Sequence, residues 1–578
     1  MNKYYVGIAT TFHDPALAMV DSNGEVLFAE ATERYLQEKR AYNCPADVRE
    51  MVRRILKKYC DPHAEFVIAK PWSRGMHRLM EFQHLLGLTN HERLPRCTEK
   101  LTRFLVDEHV MFSSLWLQYI SFNLSGGNLA DILCTTFGNN KISYVRFPHH
   151  VAHAASACLT SPFQEAACMV VDGQGEWGAI TYFDYRDGKL KKVAQMRGPE
   201  SLGILYAICT ELCGFSPEKG EEWKLMGLAP YGKLDPEIHN DLKSLVKING
   251  LTFKYPPLRQ LNEWRARMKK RARKKDAPAL DMADFAFTTQ FFYAEVMTTL
   301  LNNFHALGLS DNLILGGGCA LNSSFNGQIV EKTKFKRLHV PSAPSDDGNA
   351  LGCALLAYYQ DHPDRKPKAV VQSPYLGSSI EEHSLANLTR FGRIQKMRHL
   401  PQTVHLEAAR LLSEGKLLGW VQGRAEFGPR ALGNRSILAD PRPADMKDRI
   451  NALVKFREEF RPFAPSILDE FGPEYFENYQ LSPYMERTLT FKESAREKVP
   501  AIIHVNRTGR LQSVRREWNP RYYDLIRAFH DLTGVPMLLN TSFNIMGKPI
   551  IHSLEDALGL FYTTGLDALV IEDYLIEK

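Results

Sequence analysis

Three imidazoles fall within five residues in the stretch Pro148-His149-His150-Val151-Ala152-His153-Ala154-Ala155-Ser156-Ala157, whose small residues read as a helix. On a helix, His149 and His153 stand one turn apart on the same face, a spacing at which two imidazoles grip one ion. The zinc-peptidase pattern needs a glutamate directly after the first histidine. His150 stands there instead, which argues against peptide hydrolysis. Two histidines need carboxylates to complete a site, and Asp172 and Asp346 offer them from loops, the latter within Pro344-Ser345-Asp346-Asp347-Gly348. A mixed imidazole and carboxylate set suits iron, manganese or zinc better than calcium, and spacing does not choose among them.

Glycines cluster beside these positions. Gly173-Gln174-Gly175 follows a strand-like run at 167–172, and residues 313–322 read as a strand entering Gly316-Gly317-Gly318, then a helix with Asn322 near its start. Backbone N–H groups at such a junction approach a nucleotide closely because no side chain intervenes. The segment from Lys224 to Gly232 reads as a further loop lining the same cleft. The last third carries a different chemistry: Arg424, Arg430 and Arg435 are set among glycines and apolar residues, with Lys455, Arg457 and Arg461 downstream. Guanidinium groups in such a setting clamp phosphate bidentately. Asn540-Thr541-Ser542-Phe543-Asn544 adds hydroxyl and amide groups at a strand end, and buried ion pairs to Glu458 and Glu459 are the plainer alternative for the arginines.

The elements needed to position these groups recur. Residues 4–9, 16–20 and 25–29 read as three strands with Asn23-Gly24 as a tight turn, and residues 167–172, 178–185 and a strand ending at 193 repeat that order about 165 residues later. The repeat predicts a duplicated α/β unit of the actin, sugar-kinase and Hsp70 type with a cleft between its halves. A polar stretch at 361–368 marks a boundary, so the expected domains are 1–365 and 366–578. Eight basic residues lie between Asn262 and Asp276 in a helix-like run, read as a solvated helix rather than a nucleic-acid contact.

The chain has 578 residues, a net charge of +6, 44% hydrophobic and 24% charged residues, which excludes disorder, collagen and coiled coil as whole-chain readings. No stretch approaches a membrane span and the N-terminus lacks a signal-peptide layout, so a cytoplasmic location is expected. The ten cysteines contain no Cys-x-x-Cys pair and read as reduced, packed thiols.

Together, His-His-Val-Ala-His, Val-Asp-Gly-Gln-Gly-Glu, Lys-Leu-Met-Gly-Leu-Ala, Gly-Pro-Arg-Ala-Leu-Gly-Asn-Arg-Ser, Arg-Pro-Phe-Ala-Pro-Ser and Asn-Thr-Ser-Phe-Asn resemble the O-carbamoyltransferases of NodU and CmcH type, in family order from Phe12-His13-Asp14 to Asn544. The resemblance implies an actin-like (ASKHA) domain joined to a YrdC-like α/β domain. The second makes carbamoyl-adenylate from carbamoyl phosphate and ATP with Mg(II), and the first passes the carbamoyl group to a hydroxyl of a small-molecule natural product. By the same resemblance His149, His153, Asp172 and Asp346 hold a divalent metal, usually Fe(II). Gly173, Gln174, Gly175, Lys224, Gly316, Gly317, Gly318 and Asn322 line the nucleotide, and His13, beside Asp14, is the base at the acceptor site with Lys39 nearby. Arg424, Arg430, Lys455, Arg510, Ser542 and Asn544 serve adenylate formation. The expected partners are the hydroxyl acceptor, carbamoyl phosphate and ATP, with a second copy of the chain as a homodimer and neither membrane nor nucleic acid. Segments 72–140 and 258–281 match no motif and would shape the acceptor pocket. The competing readings are a tRNA threonylcarbamoyl-transfer enzyme and a non-carbamoylating nucleotide-binding protein of the same superfold.

Overall fold

The apolar run at residues 4–9 has no polar position to face water, so it must lie inside a sheet covered on both sides. In the computed structural model, which describes residues 2–76, 78 and 123–578, it is the buried strand β1 (Lys3–Ala9). It pairs antiparallel with β2 (Ala16–Val20), which pairs antiparallel with β3 (Val26–Ala31) across the Asn23-Gly24 turn, where Gly24 has φ +85°. On its other side β1 runs parallel to β4 (Glu65–Pro71), and β4 parallel to β5 (Ile142–Phe147).

The second half repeats this arrangement. Strands β6 (Glu165–Val171), β7 (Ile180–Arg186) and β8 (Lys189–Met196) form the antiparallel meander. After a small hairpin, β9 (Lys247–Asn249) and β10 (Thr252–Lys254), the parallel strands β11 (Asn312–Gly316) and β12 (Arg337–His339) complete the sheet. The orders β3-β2-β1-β4-β5 and β8-β7-β6-β11-β12 are the same in sequence and direction. The duplication read from two hairpins therefore extends to all five strands.

Two helices, His149–Cys158 and Gly348–Asp361, pack on each other, the second also against β1 and β2 and the first against β6 and β11. They follow β5 and β12 and hold equivalent places in the two halves. Their contact is close because the facing residues are small: a Cβ on Gly352 would lie 2.0 Å from the Ala152 carbonyl oxygen, and one on Gly7 of β1 only 1.7 Å from that of Ala350. With backbone against backbone, the helix that carries the histidines has little freedom to shift.

The rest of the chain builds a nine-stranded mixed sheet, β13 (Met397–His399), β14 (Leu418–Val421), β15 (Arg435–Ala439), β16 (Ala464–Leu468), β17 (Arg487–Thr490), β18 (Thr508–Val514), β19 (Met537–Ser542), β20 (Ala568–Ile571) and β21 (Tyr574–Glu577). Its order is β13-β21-β20-β14-β15-β19-β16-β18-β17. Trp420, Phe529, Phe543 and Tyr522 are fully buried in its core. The molecule is thus a mixed α/β protein with two related sheets and a third, unrelated one.

The basic run lies on the helix Leu258–Arg271, which buries Trp264 and Met268 on one side. On the other, Arg267 pairs with Asp241 at 2.8 Å and Arg271 with Glu237 at 2.6 Å, the behaviour of a solvated amphipathic helix. Of the two unmatched segments, 258–281 is described, whereas 72–140 lies partly outside the described residues. Among the described residues no helix is long and apolar enough to cross a membrane, and the cysteines are free thiols.

The third sheet is fastened to the first by buried polar contacts. Glu30 of β3, only 1% exposed, accepts hydrogen bonds from the Ser378 hydroxyl at 2.7 Å and amide at 3.2 Å, with His552 Nδ1 3.5 Å away. Burial pushes the Glu30 carboxyl upward, but His552 and the Ser378 bonds outweigh it and hold it at about 2 against 4.5. A carboxylate depressed in the folded state stabilises above its unfolded pKa and loses that contribution as pH falls through the folded one. We expect chemical denaturation followed between pH 5 and pH 2 to show a loss of about 3 kcal/mol in the wild type that is absent in Glu30→Gln. Parallel curves for the two proteins would remove Glu30 as the cause.

Candidate functional site

Proline at 148 leaves the chain extended and starts the helix at His149, so both His149 and His153 project from its first turns into the seam between the two related sheets. Asp172 directly follows β6, and Asp346 precedes the Gly348–Asp361 helix. The four side chains converge, with their ligand atoms all within 4.8 Å of one another. His149 Nε2 lies 3.2 Å from Asp172 Oδ2 and 3.5 Å from Asp346 Oδ1, while His153 Nε2 lies 3.4 Å and 3.2 Å from the same two oxygens. The two Nε2 atoms are 3.2 Å apart. A four-coordinate shell with bonds of about 2.1 Å has edges of about 3.4 Å, so these spacings are those of ligands around one cation.

The electrostatics agree with the donor set. Burial opposes charge on His153, yet the bonds to Asp172 and Asp346 raise its pKa to about 10, and the same partners raise that of His149. Burial and Asp172 push Asp346 upward, but the two histidines hold it below the usual range. A site that draws a proton this strongly also draws a metal cation. Asn349, unmarked in the sequence reading, points its Nδ2 at His153 Nε2 from 3.1 Å, and its buried Oδ1 has no protein partner. His150 turns away: its Nδ1 meets Thr181 Oγ1 at 2.7 Å, and burial together with His149 lowers its pKa to about 3, leaving it neutral.

His13 reaches the same seam from the loop after β1. Its Nδ1 is 2.8 Å from Asp14 Oδ2 and 3.7 Å from Asp346 Oδ2. Arg40 grips the same Asp14 oxygen at 3.2 Å, and its own amide is held by Glu33 Oε2 at 2.8 Å. Asp14, Arg40, Ala41 and Asn43 all have left-handed backbone, a local concentration of strain of the kind that accompanies functional loops. Sequence reading missed Arg40, which lies far from His13 and Asp14 along the chain. Lys39 is solvent-accessible yet close to Glu33, Arg461 and the ring of Trp223, 5.8 Å away.

The glycines expected to cradle a nucleotide sit against the metal ligands. Gly318 donates its amide to Asp172 Oδ1 at 3.1 Å, and Gly317, at φ +86°, donates to the Pro344 carbonyl at 2.8 Å. Gly316 closes β11, and a Cβ there would lie 3.3 Å from the His153 carbonyl oxygen. Two of the three amides therefore orient the cage. Gly173 accepts from Ser201 Oγ at 2.6 Å through its carbonyl and faces open space, while Gly175 abuts His150. Gln174 lies between them on the same loop. Asn322 caps Phe325 and exchanges two 3.0 Å bonds with Gln290. Lys224 is committed to Glu221 at 2.8 Å and Glu458 at 2.7 Å, so it joins the second half to the third sheet.

A second cluster lies on that sheet. Lys455 directs its amine at Asn544 Oδ1 at 2.8 Å, the Asn544 carbonyl at 2.9 Å and the Ser542 carbonyl, and Ser542 Oγ donates to Asn544 Oδ1 at 2.7 Å. Arg430, Arg457, Arg461 and Arg510 approach it. Burial lowers the pKa of Arg430 to about 10, and burial with neighbouring cations lowers those of Arg510, Arg457 and Lys455 strongly. Among the described residues, neither Arg430 nor Arg510 has a carboxylate at ion-pair distance, and the buried Arg510 Nε has no acceptor. The cluster thus holds more positive charge than its carboxylates offset, a setting that attracts a polyanion.

Two expectations change. Arg424 is drawn out of the pocket: it donates to the carbonyls of Gly377 at 3.0 Å, Leu27 at 2.7 Å and Leu376, and lies over Tyr59, so it staples the domains together. Of the carboxylates offered as partners for the arginines, Glu458 pairs with Arg461 at 3.3 Å as well as with Lys224. The cationic cluster also touches the first part of the chain. Arg461 lies 4.0 Å over the ring of Trp223, whose neighbours Lys224 and Lys39 belong to the first part of the chain.

Comparison with known proteins follows this division. Residues 4–355 match the family model for the carbamoyltransferase N-terminus and residues 409–578 that for the carbamoyltransferase C-terminus. The chain is 38% identical to an uncharacterized Synechocystis protein over all of this chain and 97% of that one. It is 38% identical to the nodulation protein NolNO of Sinorhizobium fredii, covering 83% of this chain and 70% of that one, and 35% identical to NolO of Bradyrhizobium diazoefficiens, covering 74% and 78%. Among solved structures it is similar to full-length HypF in the phosphate- and nucleotide-bound form, at 14% identity over 62% of this chain and 55% of that one, with a TM-score of 0.32. With both family models matched in order over most of its length, the chain belongs to the carbamoyltransferase family and is an enzyme of that class.

Proposed function

We propose that this carbamoyltransferase works in two stages, on carbamoyl phosphate and ATP, and delivers the carbamoyl group to a hydroxyl of a small-molecule natural product. The observation that carries the reading is the presence, in one chain, of a cationic cluster on the third sheet, where Arg430 and Arg510 have no carboxylate partner among the described residues, and a separate imidazole and carboxylate cage. The part after residue 365, read as YrdC-like, forms carbamoyl-adenylate. Phosphorus balance requires one phosphate and one pyrophosphate to leave for each adenylate formed. Arg430, Arg510 and Lys455 neutralise the phosphates, and Ser542 and Asn544 fix the lysine.

The part before residue 366, read as actin-like, carries out transfer. His13 donates Nδ1–H to Asp14, held by Arg40, which leaves its Nε2 lone pair to take the acceptor proton. The acceptor oxygen then bonds to the carbamoyl carbon as the bond to AMP breaks. His149, His153, Asp172 and Asp346 would hold a divalent metal, iron(II) by the resemblance. Bound there, it supplies Lewis acidity to the adenylate phosphate. Gly173, where a Cβ would meet nothing within 4 Å, with Gln174, Gly175, Gly316, Gly317, Gly318 and Asn322, would border the nucleotide.

The test is pyrophosphate release from ATP by the purified enzyme without an acceptor. It should require carbamoyl phosphate, and mass spectrometry of the quenched mixture should detect the adenylate. ATP turnover indifferent to carbamoyl phosphate would overturn the two-stage reading.

A further inference from the structure

Glu176 is part of neither cluster, yet it contacts two of the elements around the cage. Its Oε1 accepts the His149 amide at 3.2 Å and the Ser73 amide at 2.6 Å, and its Oε2 accepts the Ser73 hydroxyl at 3.0 Å. The first bond falls on a helix start that cannot cap itself, because its N-cap residue is Pro148. The other two pin the residue after Trp72, whose backbone is left-handed at φ +75° although its side chain is bulky and only 3% exposed. The Trp72 ring lies over the His149 imidazole, with centroids 4.4 Å apart and planes at 32°. Glu176 itself is four residues beyond Asp172 on the same loop.

We propose that Glu176 is a positioning residue for the metal centre: one carboxylate ties the His149 helix start to the Trp72–Ser73 turn and thereby fixes the plane of the His149 ring. The strained backbone at Trp72 supplies the independent observation. Such a conformation persists only where its surroundings over-determine it, and the two Glu176 bonds to Ser73 hold the turn from its next residue. The aromatic ring then allows His149 no rotation about its outer bond. Helix capping alone would need only the 3.2 Å bond and would make no use of Ser73.

The inference rests on the metal reading of the cage, and cobalt(II) titration of the full-length apoprotein tests the two separately. Wild type should bind one equivalent with a ligand-field absorption in the visible. Glu176→Ala should raise the dissociation constant about 10- to 100-fold and shift that absorption, as loss of an outer partner of a ligand does. Glu176→Gln, whose amide oxygen still accepts both backbone amides, should bind close to wild type. Ser73→Ala, which deletes one hydroxyl, should give an intermediate change if the alanine variant at 176 does not fold. Wild-type affinity and spectrum in both alanine variants would overturn the positioning role alone. No cobalt spectrum in wild type would overturn the metal centre and this role with it.

Discussion

Replacing His149 or His153 with alanine will abolish carbamoyl transfer while leaving carbamoyl-phosphate-dependent pyrophosphate release nearly intact. Each histidine contributes one of four converging ligand atoms, and its removal leaves Asp172 and Asp346, two buried carboxylates, facing one imidazole. A carboxylate pair with less counter-charge takes up protons in place of a cation. A bound Lewis acid contributes several kcal/mol at the reacting centre, so transfer should fall by about three decades or more. On the two-stage reading, pyrophosphate release depends on groups of the third sheet, and none of the contacts of Lys455, Ser542 and Asn544 reaches either histidine. The measurement is a side-by-side assay of the two half-reactions, with metal content of each variant. Equal loss of both half-reactions would show that the cage also serves the first.

Arg510→Ala will produce the opposite division, with an unusual accompaniment. Arg510 lies in β18, and the groups that depress its pKa after burial are Arg430, Arg457 and Arg461. Burial and these like charges thus oppose its charge, and a bound anion would offset them. We expect the variant to melt at a higher temperature than wild type in phosphate-free buffer, and to gain less from added inorganic phosphate. Pyrophosphate release should fall by two decades or more, since charged hydrogen bonds to a phosphate contribute about 1.5–3 kcal/mol each. A lower melting temperature in phosphate-free buffer would make Arg510 a structural residue.

The residues that could be read in advance were those whose chemistry is local. His149 and His153 share one helix face and Asp172 ends a strand, so type and spacing singled them out as candidate ligands, whereas Lys455 and Ser542 stood out through the motifs of the family the chain resembles. Arg40, Asn349, Glu176 and Trp223 act across long sequence separations, and nothing adjacent to them marks what they will touch. Arg424 shows the converse failure. It stands in the same glycine-rich motif as Arg430, yet a guanidinium reaches far enough for its neighbours in space to decide its role, and carbonyls of Leu27 and Gly377 claimed it. The triple glycine was legible as a place of close approach, but not which atoms approach. The meander of each half was legible because apolar runs and tight turns are short-range signals; β11 and β12 join their sheet from far along the chain and needed the fold itself.

The matching strand orders of the two halves carry one more consequence. His13-Asp14 and Asp172 follow equivalent strands, β1 and β6, and the helix bearing His149 and His153 and the helix preceded by Asp346 follow equivalent strands, β5 and β12. The candidate site is therefore assembled from two pairs of sister positions, His13, Asp14, His149 and His153 coming from one half and Asp172 and Asp346 from the other. Neither half supplies the four converging ligand atoms alone, so a shift of one half against the other would change the cage while leaving both sheets intact.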